Sequence, residues 1–215
     1  MRRRFKKAFA WCAFVLVLFT QNTAFCDEAY SNFGPGDLFN DGQAYAIGAF
    51  DVFENIHLAF QFTAEATGVI ESVDAAFSLL ESNGTDSVVF DIWSSETDVP
   101  DSLIWTGAAQ VDEFFPQVVN GTVQDFTGGA VLNAGTEYWL SARSSTGTNA
   151  YGWFFNNQGD FLSTAADLEG GTNWTSFGPL EAGAFRVNVS AVPEPGSGIL
   201  ACMIALGTLR RSRRT

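Results

Sequence analysis

Residues Asp27–Val192 predict an all-β, antiparallel body, read here as a two-layer β-sandwich with jelly-roll strand order. Three observations carry that expectation. Helical periodicity is scarce across the segment, whereas β-branched and aromatic residues alternate with Ser, Thr, Asp and Gly. Turn signals recur at short intervals, among them Ser82-Asn83-Gly84-Thr85, Val119-Asn120-Gly121-Thr122 and Ser145-Thr146-Gly147-Thr148. The chain has 21 Phe against 2 Met, the composition of a rigid aromatic core.

Taken in order, Phe33-Gly34-Pro35-Gly36 and Asn40-Asp41-Gly42 are turn-rich and precede the first strand. Strands are predicted at 44–50, 56–63, 68–80, 87–94, 103–105, 118–126, 136–144, 150–155 and 184–192. Two of them alternate strictly. In Val88–Trp93 the inward set is Val88, Phe90 and Ile92. In Thr136–Arg143 one face is Tyr138, Leu140 and Ala142, and the other is Glu137, Trp139, Ser141 and Arg143. The stretch Asn156–Phe177, with Gly159, Gly170 and Gly171, is expected to be a loop excursion.

Charge is divided by region. Of the eleven basic residues, five lie in Arg2–Lys7 and four in Arg210–Arg214, which leaves Arg143 and Arg186 to face 23 of the 24 acids. So acidic a body repels phosphate, which excludes nucleic acid as a ligand, and it attracts hard cations. The three cysteines, Cys12, Cys26 and Cys202, all lie in or beside the terminal apolar runs. The body therefore has no thiol chemistry and no disulfide to lean on.

The first 26 residues have the layout of a secretory signal peptide: basic Met1–Lys7, apolar Ala8–Phe19, then a small and polar stretch to Cys26. An N-terminal signal helix, export through the Sec machinery and cleavage before Asp27 or after Ala24 are expected. At the other end, residues 192–215 form a third segment. Pro193 and Pro195 stop the last strand, because neither can donate to a ladder. The fourteen uncharged residues Gly196–Leu209 would span about 21 Å as a short transmembrane helix. Arg210, Arg211, Arg213 and Arg214 then hold the end on the cytoplasmic side and leave residues 27–191 outside.

Val192-Pro193-Glu194-Pro195, the apolar run and the arginine-rich end resemble the PEP-CTERM sorting signal of Gram-negative bacteria. That resemblance implies recognition by an exosortase, a membrane cysteine transpeptidase, first as a membrane-held intermediate. It also implies cleavage near the Pro-Glu-Pro and delivery to the cell surface or an extracellular polysaccharide matrix. The body is similar to choice-of-anchor domains of type R. The similarity lies in Leu58–Thr63, Ile70–Val73, Phe90–Trp93, Leu132–Leu140 and Phe185–Val187. This implies an exported bacterial β-domain and no particular activity.

Candidate sites within the body are few. His57, the one histidine, lacks a Gly-x-Ser-x-Gly elbow, and the close carboxylates Glu71 and Asp74 fall on opposite strand faces. The chain is therefore expected not to be an enzyme, a secreted glycoside hydrolase being the distant alternative. Asp37, Asn40 and Asp41 beside Gly42, and Asn156, Asn157 and Asp160 around Gly159, offer oxygen ligands for Ca²⁺, although neither group completes a known loop spacing. Trp139 and Trp153 are the candidate sugar platform of a carbohydrate-binding module, set against tryptophans that simply pack the core.

Overall fold

The computed structural model describes residues 26–50, 53–84, 86–123 and 129–191. Both terminal segments expected to be helical lie outside them, and so do the sorting residues Val192, Pro193, Glu194, Pro195, Arg210, Arg211, Arg213 and Arg214. The described residues contain no helix. They form thirteen strands: β1 (Cys26–Ser31), β2 (Phe39–Phe50), β3 (Phe53–Thr63), β4 (Gly68–Glu81), β5 (Val88–Ser94), β6 (Leu103–Ala109), β7 (Gln117–Val123), β8 (Val131–Leu132), β9 (Glu137–Ser144), β10 (Ala150–Asn156), β11 (Phe161–Asp167), β12 (Thr175–Glu181) and β13 (Phe185–Ala191).

All-β antiparallel architecture is what the alternation predicted. The division into two separate sheets is not what the ladders trace. Hydrogen bonding runs β4–β10–β2–β3–β9–β5–β6–β7 and returns from β7 to β4, closing a ring of eight strands. Two long strands explain the difference. The fourteen residues of β4 pair with β13 over Gly68–Ala75 and with β10 over Phe77–Glu81. Likewise β3 pairs with β2 at Ile56 and with β11 over His57–Phe60. Strands that change partners midway bend one sheet around upon itself, and the ladder irregularities at Glu71 in β4 and at Gly48/Phe50 in β2 supply local twist.

The interior is filled. Trp153 sits at its centre, stacked on Phe77 at 5.4 Å and edge-on to Phe60 at 4.9 Å and Phe185 at 6.0 Å. Val88, Phe90 and Ile92 of β5 and Tyr138, Leu140 and Ala142 of β9 point into the same cluster, the faces their alternation assigned. Gly121, predicted to lie in a hairpin turn, instead pairs with Val73 inside β7. A side chain there would strike the ring of Phe90, so glycine serves close packing at this position.

Four strands escape the sequence reading. The expected loop 156–177 contains β11 and the first three residues of β12, which form a hairpin with β11 laid on β3. β1 begins at Cys26 and pairs with β13, and β8 is a two-residue strand against β4. The Asn40-Asp41-Gly42 turn is an irregularity inside β2, where the Asn40 side chain accepts the Gly42 N–H at 3.0 Å.

The register defines two poles. Cys26 lies opposite Ser190, and Ala191 lies opposite Gly68, so the chain enters and leaves the barrel side by side. From Gly68, β4 runs roughly 40 Å to Glu81 at the far pole, beside Ala150. Residues 82–84 and 86–87 and the segments 110–116, 145–149 and 168–174 gather there.

Candidate functional site

The distal pole is organised by Asp86, which is 7% exposed. Its Oδ1 accepts from Ser87 N at 2.7 Å, from Thr146 N at 3.1 Å and from the Ser145 hydroxyl. Its Oδ2 accepts from Asn149 N at 3.2 Å and from the Ser144 hydroxyl. Five donors converge on one carboxylate, and all but one come from the loop some sixty residues downstream. Burial opposes ionisation of Asp86, but the bonds from Ser144, Ser145, Ser87 and Thr146 outweigh it and hold the pKa down to about 2. Asn149 extends the clasp: its Oδ1 accepts from Asn83 N at 2.8 Å, and its Nδ2 reaches Gly84 O and the Tyr151 hydroxyl.

Against this clasp lies a cleft of about 300 Å³, the small end of the range for small-molecule pockets. Ser82, Asp86, Gln110, Asp112 and Asn149 supply its polar groups, and Phe114 is its aromatic wall. The Gln110–Pro116 loop is tied to the end of β4 by Leu79 N donating to Glu113 O at 2.7 Å. Phe114 nevertheless remains 66% exposed. Both carboxylates bear on the cleft. Burial pushes the Tyr151 phenol up to about 12; the charges of Asp86 and Asp112 add to this, and its bond with Asn149 opposes it.

The candidate sugar platform is not available, because both tryptophans are packed inside the protein, the alternative weighed against it. Trp139 and Trp153 are both 0% exposed. Trp139 does lie on the outer face of β9, as its alternation requires, but Val99 and Trp174 pack over it and its Nε1 donates to Ser95 at 3.1 Å. Trp153 faces the core, with Nε1 donating to Ala184 O at 3.1 Å. Its indole lies so close to Gly183 that no side chain fits there.

Four of the six oxygen ligands proposed for Ca²⁺, Asp37, Asn40, Asn156 and Asn157, are engaged otherwise. Asp37 accepts from Arg186 Nη1 at 2.9 Å, and a cation placed there would meet a guanidinium. Asn156 is buried, and its Oδ1 accepts from Gln158 N and Asp160 N, closing its own turn. Asn157 Oδ1 accepts from Gln158 Nε2 at 2.7 Å, and Asn40 Oδ1 takes the Gly42 N–H. Asp41 is exposed in the same irregularity of β2. Among the described residues no three His, Cys, Asp or Glu side chains are grouped to hold a metal.

His57 lies beneath segment 168–174, 6% exposed, with its ring 6.3 Å from Trp174 and its Nε2 without a partner. Burial first, then Arg143, lowers its pKa, against the pull of Asp167 and Asp91. Asp167, its partner across the ladder, accepts from Glu169 N and Asn173 N, so it caps its own loop and does not orient the imidazole. Glu71 is exposed, whereas Asp74 is buried in a polar cluster with Asn120, Asn188 and Arg186.

The Asp86 clasp and the Phe114 cleft were not anticipated. Their sequence signals are a lone Asp-Ser at 86–87 and Ser144-Ser145-Thr146, which mean nothing until the fold joins them. No family model matches the chain, and no curated protein matches it significantly.

Proposed function

We propose that the chain is an exported surface or extracellular-matrix protein of a Gram-negative bacterium. In this reading the Sec machinery carries it across the inner membrane, and an exosortase-type transpeptidase processes it at Val192-Pro193-Glu194-Pro195. The barrel is then a structural or binding body associated with exopolysaccharide, not a catalyst. We read the facing walls of the barrel as the two layers of a sandwich, a reading supported by Phe77 of β4 meeting Phe90 of β5 at 5.7 Å in the interior.

One observation supports this reading above the others. The folded body spans Cys26–Ala191, and β1 and β13 lie side by side at its edge. A signal peptide removed after Ala24 and a sorting segment starting at Val192 would both leave this body whole, and removal before Asp27 would take only the first residue of β1. Cys26 and Ala191 both lie at the pole opposite Asp86.

The test is fractionation of the producing cell. The wild-type protein, processed at both ends, is expected at the surface or in the matrix, a chain ending at Ala191 is expected soluble in the medium, and loss of the exosortase should trap the form that keeps its C-terminal segment in the membrane. If all three distribute alike, the reading fails.

A further inference from the structure

We propose that the distal cleft binds a sugar residue bearing a free amine, with the ring stacked on Phe114 and the ammonium held by Asp112. The inference goes beyond sorting, which concerns only where the chain travels.

The cleft has what such a ligand needs. Phe114 is a large apolar surface left 66% exposed, at the wall of a cavity otherwise lined mostly by polar groups. Sugars present apolar C–H faces to aromatic rings and hydroxyls to amides, and Gln110, Asn149 and Ser82 supply the latter kind of partner. The two carboxylates have different duties. Asp86 is saturated by five donors and shapes the loops, whereas Asp112 is exposed and makes no side-chain hydrogen bond among the described residues. No Lys, Arg or His lines the cleft, so uronates, sulfates and phosphates are repelled and a cation is favoured.

Geometry also separates this site from the rest of the acidic surface. It lies at the Glu81 end of β4, the pole opposite Cys26 and Ala191.

Calorimetric titration of the 26–191 body is decisive only if its fold survives excision, so the measurement uses the protein as recovered from the producing cell, from whichever fraction holds it. The probes are a glucosamine tetrasaccharide, its N-acetylated counterpart and a neutral glucose tetrasaccharide. The amine form is expected to bind saturably, at least about tenfold tighter than the N-acetylated form, since a charge-assisted bond is lost on acetylation. Phe114→Ala and Asp112→Asn should each weaken binding by about tenfold or more. Because both side chains are exposed, thermal unfolding should not change. Asp98→Asn, an exposed acid in the loop between β5 and β6, should leave binding intact. Equal affinity for the three sugars would overturn the proposal, and so would no binding. So would weakening by Asp98→Asn equal to that by Asp112→Asn, which would mark diffuse attraction to an acidic surface. Failure here leaves the sorting experiment untouched, and failure of sorting leaves the titration to be read by itself.

Discussion

Arg186 and Asp74 face each other across the β13–β4 ladder, with Arg186 Nη2 2.8 Å and Nε 2.9 Å from Asp74 Oδ2. Asn120 from β7 and Asn188 from β13 donate to the same carboxylate, so three strands meet on one buried anion. The body's other arginine, Arg143, is likewise committed, its Nε 2.9 Å from Asp91. Both cations in a strongly acidic body are therefore tied to carboxylates on the barrel wall.

Arg186→Ala should lower stability by about 3 kcal/mol, because it strands a buried carboxylate. Glu28→Gln, which loses only an exposed partner of the same arginine at 3.3 Å, should change stability by less than about 1 kcal/mol. Urea unfolding of the two variants checks the contrast.

Asp86→Ala should release the 144–149 loop from the 82–87 turn and cost about 2–4 kcal/mol, the loss of several bonds to a charged group. The wild-type clasp is also acid-sensitive in a defined window. The folded pKa, about 2, lies below the ordinary value of 3.8, so the stabilisation is complete above that ordinary value and is lost as pH falls from there towards 2. A pH series of thermal unfolding should show a smaller loss in Asp86→Asn than in the wild type, the remainder coming from Asp74, where burial is likewise outweighed by hydrogen bonds from Asn120, Asn188 and Arg186.

His57 gives a second window at milder pH. Its folded pKa lies below the ordinary 6.5, so the unfolded chain takes up a proton that the folded one refuses. Stability should decline as pH falls below 6.5, and His57→Leu should flatten that decline. Since Nε2 has no partner, the leucine variant should lose little at neutral pH.

Tryptophan accessibility should follow burial. Iodide should quench Trp93 and Trp174, which are half-buried, while Trp139 and Trp153 stay protected, as single Trp→Phe variants would resolve. Trp153→Ala should cost about 3–5 kcal/mol through the cavity it leaves among Phe60, Phe77 and Phe185.

Much of the barrel is legible in local alternation, because β5 and β9 each have one face on the core and one outside. β11 is not, because Ser163-Thr164-Ala165-Ala166 puts small residues on both of its faces: Ala166 joins the main core, while Ala165 packs with Trp139. β12 hides behind Gly178 and Pro179, residues that signal turns but sit here on a strand paired only with β11. Trp139 shows where local reading ends. Period two places it on the outer face, but its burial depends on Ser95, Val99 and Trp174, which lie far away in sequence. The same holds for Asp86, whose partners Ser144 and Ser145 become neighbours only when the β9–β10 turn folds over it.

The most direct test of the exported, sorted barrel is the intact mass of the protein recovered from the cell surface or matrix. The account predicts a chain that starts between Phe25 and Asp27, ends near Val192-Pro193-Glu194-Pro195 and lacks Arg210–Arg214. A surface-located chain that keeps its basic N-terminus or its arginine-rich end would contradict it.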